Sequence, residues 1–248
     1  MSSFLLYCLI SLILISNINS AAEEFRIDMR EFSKDKKSME MMARDAQLNQ
    51  KLNLALPYTE EYFSIMKELF YNQIGENSVV NNQLTVVVPK NVKIGNGVTV
   101  MNGALMMAAG GITIENKVMI AANVQLISNN HDPYIREILT CKPILIKYGA
   151  WVGAGATILP GVTVGKYAII GANSVVNKDI PDYAVAVGSP AKVIKYLDKE
   201  KFVEWINWII FNIYINFNVV HIVKINMIHL IFKMGIGDWG LGDRKSTR

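Results

Sequence analysis

The chain has 248 residues, 25 of them basic and 21 acidic, for a net charge of +4; 51% of its residues are hydrophobic and 19% charged. So modest a positive balance, with no interleaved aromatic and basic motif, gives nucleic acid no footing. The hydrophobic share exceeds that of an ordinary soluble domain, and the two ends of the chain supply most of the excess.

Residues 1–22 open on the apolar run Phe4 to Ile15, followed shortly by Asn19-Ser20-Ala21-Ala22. The pattern resembles a signal peptide without the preceding positive charge. It reads as an apolar leader or a misassigned start, with a membrane anchor as the second choice. Residues 23–75 read as a helical N-terminal segment. Ser38 to Leu54 carries Met, Ala and Leu at mixed helical spacing, Pro57 breaks it, and Tyr58-Thr59-Glu60-Glu61 opens a second helix ending near Tyr71. Thr59 has the character of an N-cap, with acidic residues in the first turn. This segment is expected either to cap the surface or to help hold a substrate.

Residues 76–196 carry the pattern that decides the architecture. Ile146, Val152, Ile158, Val164, Ile170 and Val176 recur at every sixth position. A helix repeats its apolar face about every 3.6 residues and a half-buried strand every two, so neither produces this period. A parallel β-helix does. Four residues after each aliphatic comes a small or β-branched side chain, Ala150, Ala156, Val162, Ala168 and Ser174, as tight corners require. Gly153, Gly165 and Gly171 follow aliphatics, where their tolerance of unusual backbone angles suits a turning chain. The phase continues upstream through Ile94 and Val100 and, after a shift of two residues, through Ile114, Ile120 and Leu126. Coils of this kind bury their aliphatics only against one another, and there is enough chain for four or five.

Between Leu126 and Ile146 the spacing exceeds three repeats by two residues, and the insert reads Ser128-Asn129-Asn130-His131-Asp132-Pro133-Tyr134. A polar loop is expected to leave the solenoid there, carrying His131, the sole histidine of the repeat region. Residue type alone leaves that histidine either a solvated side chain or a catalyst on a loop held by a rigid scaffold. Met101, Met106, Met107 and Met119 are expected to fill the core, since thioethers without Cys or His companions suit irregular packing better than metal. No metal site is expected. Cys8 and Cys141 announce neither a disulfide framework nor a zinc site.

In the tail, residues 197–248, the repeat ends and the chain becomes Ile- and Asn-rich. Trp205 to Phe232 is long enough for a bilayer, but its asparagines and Lys224 are costly in hydrocarbon. The segment after about residue 202 reads as read-through sequence, with a membrane or packing helix as the alternative. Any membrane association would run through the N- or C-terminal apolar segment.

The run from Ile144 to Lys166, the His-Asp-Pro at His131 and the Gly-Ser-Pro-Ala-Lys-Val-Ile-Lys from Gly188 together resemble the hexapeptide-repeat O-acetyltransferases, in particular the maltose and galactoside acetyltransferase group, over roughly residues 25 to 200. The resemblance implies an all-β fold, a left-handed parallel β-helix with a short N-terminal helical segment, assembled as a homotrimer. It implies acetyl-CoA as co-substrate, bound with the acceptor in a cleft between neighbouring subunits, and His131 as general base. It places cofactor contacts at Ala154, Ala172, Lys178, Lys192 and Lys195, and acceptor contacts at Asp35, Met101 and Asn102. Met101 stands where the group has an asparagine and Ala109 where it has an acidic contact, so the sugar acceptor itself is in doubt. The expected reaction is acetyl transfer to a hydroxyl of a sugar or similar small acceptor, in the cytoplasm, where acetyl-CoA is available. N-acetylation of an amino sugar or xenobiotic and a non-catalytic trimeric scaffold are the alternatives. A direct transfer is expected, with a covalent acyl-cysteine route through Cys141 as a minor variant.

Overall fold

A computed structural model describes residues 24–202. The expectations for residues 1–22 and for the tail beyond residue 202 lie outside the described residues. The chain divides into a unit ending at Leu197 and a second beginning at Asp198.

The repeat folds as a left-handed parallel β-helix of about five turns. Its strands stack into three faces. The first joins Val92–Ile94, Ile112–Ile114, Ile144–Ile146 and Thr163–Val164. The second runs from Val79–Val80 through Thr99–Val100, Met119–Ile120, Trp151–Val152 and Ile169–Ile170 to the closing hairpin Ala184–Gly188 and Ala191–Tyr196. Thr85–Val87, Leu105–Met107, Gln125–Ile127, Thr157–Ile158 and Val175–Val176 form the third. The aliphatics at the sixfold positions point inward: Ile146, Val152, Ile158, Val164 and Val176 are fully buried, and so are the corner residues Ala150, Ala156 and Ala168. No single coil could keep these side chains from water, so the core is stable only as a stack.

Equivalent inward residues show why the phase shifts upstream. Val80, Val100 and Ile120 stand opposite one another and twenty residues apart, because the corners from Val86 to Ile94 and from Met106 to Ile114 are each two residues longer than a hexapeptide step. The same corner, between the third face and the first, is where the chain leaves the solenoid after Ile127 and returns at Ile144. The excursion is therefore longer than the seven-residue loop expected. Leu126 and Ile146 are successive inward residues, so the whole stretch between them replaces one corner.

Gly153, Gly165 and Gly171 do not sit at positive φ; that role falls to Gly97, Gly103, Gly149, Gly155 and Gly161 and to several Asn and Tyr residues. What Gly153 answers to is close approach. A Cβ there would lie 2.6 Å from the Ile170 carbonyl oxygen and 2.8 Å from the Ala172 nitrogen of the next coil.

Three helices precede the solenoid: α1, Met29–Phe32; α2, Lys36–Leu54; and α3, Glu60–Leu69. Thr59 caps α3, accepting the Tyr62 N–H at 3.2 Å. Leu48 and Leu52 of α2 and Tyr62, Met66 and Leu69 of α3 are buried against the first coil. Asn49 and Asn53 of α2 each accept a backbone N–H, from Val86 and Leu84, and both donate to the Leu84 carbonyl. Side-chain amides thereby occupy an edge that would otherwise present free strand groups.

Candidate active site

The extruded chain is a hairpin, Asn129–His131 against Ile138–Cys141. A third strand from the segment expected to be helical, Phe25–Asp28, pairs antiparallel on its other side, with Phe25 opposite Cys141 and Asp28 opposite Ile138. His131 thus stands at the end of a small three-stranded sheet, not on a free loop. Its base lies directly on the solenoid at Gly110, where a Cβ would meet the Ser128 carbonyl oxygen at 2.2 Å and the Lys142 nitrogen at 2.8 Å. The Ser128 hydroxyl donates to the Met107 carbonyl at 2.7 Å and accepts the Gly110 N–H at 2.9 Å, tying the hairpin root down.

The imidazole of His131 is exposed, with Nδ1 2.5 Å from the Arg136 carbonyl oxygen. A carbonyl can only accept, so Nδ1 carries the hydrogen, and in the neutral ring Nε2 keeps its lone pair. That is the tautomer a proton acceptor needs. Asp132, next in sequence, is buried; its Oδ1 accepts the N–H groups of Tyr134 at 2.8 Å and Ile135 at 2.9 Å, and its Oδ2 is paired with the Arg26 guanidinium. The Ile135 and Tyr134 amides foremost, with Arg26 adding to them, hold the Asp132 carboxyl below the usual carboxylate range against burial, which acts to raise it. A second ion pair, Lys142 with Glu24 at 3.0 Å, closes the same strand junction. Neither Arg26 nor Asp132 was singled out from sequence: the two are 106 residues apart, and no local pattern links them.

Cys141 is fully buried opposite Asn129, and burial pushes its thiol pKa up. Nucleophilic cysteines are exposed and have depressed pKa values, so the acyl-cysteine route has no support here.

Ala154 and Ala172 are brought together. They are exposed at one corner, between the second and third faces, on successive coils, with the Asn173 N–H donating to the Ala154 carbonyl at 2.9 Å. Val187 continues that corner, and Lys192 pairs with it across the closing hairpin, while Lys195 pairs with Val185. Lys178 lies elsewhere, on the corner that carries the His131 hairpin but two coils further along. Met101 and Asn102 occupy the same corner as Ala154, nearer the N-terminal end; Asn102 donates to the Gln83 side chain at 3.3 Å, and the Met101 sulfur accepts from Asn81 at 3.5 Å. Asp35 caps α2, accepting the Ser38 N–H at 3.1 Å. Met106 is fully buried, as core packing predicts, whereas Met101 and Met119 are exposed. These two project outward because the inward positions beside them are already filled by Val100 and Ile120. Met119 faces Trp151 on the next coil, also exposed.

Among the described residues no group of three or more His, Cys, Asp or Glu is placed to hold a metal ion, and no helix is long and apolar enough to cross a membrane.

The family model for the bacterial transferase hexapeptide (six repeats) matches residues 144–178. The chain is similar to galactoside O-acetyltransferase of Escherichia coli (strain K12), 34% identical over 148 residues that span 57% of this chain and 72% of the relative. A relative from Schizosaccharomyces pombe is 45% identical over 93 residues, and there the chain spans 45% of the relative's length. Two solved structures superpose with a TM-score of 0.64. One is a hexapeptide-repeat acetyltransferase from Vibrio cholerae O1 biovar eltor complexed with acetyl coenzyme A, 25% identical and matched over 70% of this chain and all of that one. The other is a maltose O-acetyltransferase from Clostridium difficile 630, 28% identical over 72% of this chain and 95% of that one.

Proposed function

The chain belongs to the hexapeptide-repeat acetyltransferases, and from that membership we propose that it transfers the acetyl group of acetyl-CoA directly to a hydroxyl of a sugar or similar small acceptor, with His131 as base. The observation that carries this reading is the Nδ1–H bond to Arg136, which presents Nε2 as an acceptor at the exposed end of a braced sheet. Nε2 takes the proton as the acceptor oxygen attacks the thioester carbonyl carbon. The tetrahedral intermediate collapses with cleavage of the C–S bond, and the departing thiolate recovers the proton from the imidazolium. Acetyl-CoA as donor is supported by the relative crystallised with it.

In a single protomer the small-residue corner of Ala154 and Ala172 and the His131 hairpin occupy different edges of the prism. That division favours a site completed between subunits: the pantetheine arm lies along Ala154 and Ala172 of one, with Lys192 and Lys195 toward the anionic end of the cofactor, and His131 comes from another. Lys178, Asp35, Met101 and Asn102 are proposed as further cofactor or acceptor contacts on the same basis. Such a homotrimer is supported by Met119 and Trp151, which put adjacent apolar side chains into water at 51% and 46% exposure. The proposed compartment is the cytoplasm, with its acetyl-CoA supply.

The test is CoA release by the full chain across a panel of sugars and amines. Hydroxyl-dependent turnover that falls about a hundredfold in His131→Ala is the expected result. Turnover with amines alone would move the assignment to N-acetylation. Equal rates in the two proteins would remove His131 as base, and absence of both turnover and CoA binding would leave a scaffold.

A further inference from the structure

The N-terminal strand belongs to the site's machinery although it lies outside the repeat. Phe25–Asp28 forms a full ladder with Ile138–Cys141, and the Met29 N–H adds a bond to the Glu137 carbonyl at 2.9 Å, one residue beyond the Arg136 carbonyl that holds His131. Arg26 reaches across the central strand to Asp132. Asp132 in turn gathers the amides of Tyr134 and Ile135, fixing the bend that returns the chain to Arg136. A chain of contacts therefore runs from Arg26 through the Asp132 turn to the carbonyl that sets the tautomer and orientation of the imidazole.

We propose that Arg26 and Asp132 are positioning residues: the N-terminal strand and its ion pair hold the His131 hairpin so that Nδ1 stays bonded to Arg136 and Nε2 stays aimed at the acceptor. The inference rests on the reading of His131 as base. Neither residue touches the reacting atoms. Their effect arises because a displacement of the base by about 1 Å can cost up to a hundredfold in rate, and because a carboxylate gathering two amides and a guanidinium has little freedom to adopt another turn.

The experiment uses the full chain with Arg26→Ala, Arg26→Lys, Asp132→Asn and the Arg26→Ala/Asp132→Asn double variant. Asparagine keeps an acceptor for Tyr134 and Ile135 while losing the charge toward Arg26, so a folded protein is retained. With acetyl-CoA and the acceptor that turns over best, kcat is expected to fall about tenfold to a hundredfold in Arg26→Ala and Asp132→Asn, with the KM for acetyl-CoA unchanged. Arg26→Lys should recover most of the rate, and the double variant should be no slower than the worse single one, because both act through one turn. A second readout is independent of activity: 15N spectra of the His131 ring, identified by its disappearance in His131→Ala, should show a single Nδ1–H tautomer in the native chain and a mixture in Arg26→Ala. Altered KM with unaltered kcat, additive losses, or an unchanged tautomer would overturn the proposal. A native chain that shows the tautomer shift on mutation but acetylates nothing would leave the positioning intact and defeat the enzymatic reading instead.

Discussion

At the level of single residues, the site rests on charge placement that depends on pH in a calculable direction. Asp132 has its carboxyl pKa held below the ordinary value of about 3.9 in the folded state. A depressed folded pKa contributes stability that is present above the unfolded value and disappears as pH falls through the folded one. Urea midpoints of the native chain and Asp132→Asn should therefore differ fully at pH 6, draw together as pH falls below about 4, and meet only once pH has passed through the lowered folded pKa. A gap that stayed constant down to pH 3 would show that the ionised carboxylate is not responsible. The place of His131 on an excursion from the solenoid was legible in sequence, because it is the lone histidine in the one polar break of an otherwise aliphatic repeat; its role as base came only from the family resemblance. Its supports were not legible. Arg26 sits in a stretch whose helical neighbours hide a four-residue strand, and what identifies it is a pairing across the length of the repeat domain.

For the elements, the decisive contacts are backbone against backbone. The hairpin root passes over Gly110 so closely that Gly110→Ala must displace the backbone of both Ser128 and Lys142. Overpacking of this sort costs roughly 1–3 kcal/mol. Because the strain falls at the root of the His131 hairpin, the variant should lose kcat as well as thermal stability. Gly153→Ala, which presses on the next coil at Ile170 and Ala172, should show a comparable loss of stability with weaker CoA binding and a kcat near native at saturating donor. Calorimetry with a paired kinetic assay separates the two outcomes; identical kinetic profiles would deny the division of labour between the two corners. The sixfold period made the solenoid readable from aliphatics alone. The size of the excursion was hidden because a break in a repeat shows only its net offset, and an insert close in length to whole repeats leaves almost no offset to see.

For the molecule as a whole, one protomer is an incomplete catalyst in the proposed reading. If subunits meet through the apolar surface that includes Met119 and Trp151, the full chain should sediment at about three times its 27.7 kDa mass. Charge placed there, as in Met119→Lys with Trp151→Glu, should yield monomers that keep their secondary structure and lose turnover. Active monomers would show that each chain carries a whole site. The sequence suggested Met119, like Met101, as core filler; its exposure follows from strand alternation, which a six-residue reading does not resolve at its outward positions.

One corner of the prism absorbs nearly every irregularity of length. There the chain spans Val87 to Val92, then Met107 to Ile112, then the long excursion from Ile127 to Ile144, then the short step from Ile158 to Thr163, while the faces on either side keep strict register. The solenoid behaves like a screw with a seam: thread pitch is fixed everywhere except along one line, and along that line material can be added or removed without stripping the thread. A loop of different length or chemistry grafted between Ile127 and Ile144 should leave the coils above and below it wound as they are. In the proposed reading, new acceptor preferences can therefore arise at the seam without the scaffold being rebuilt.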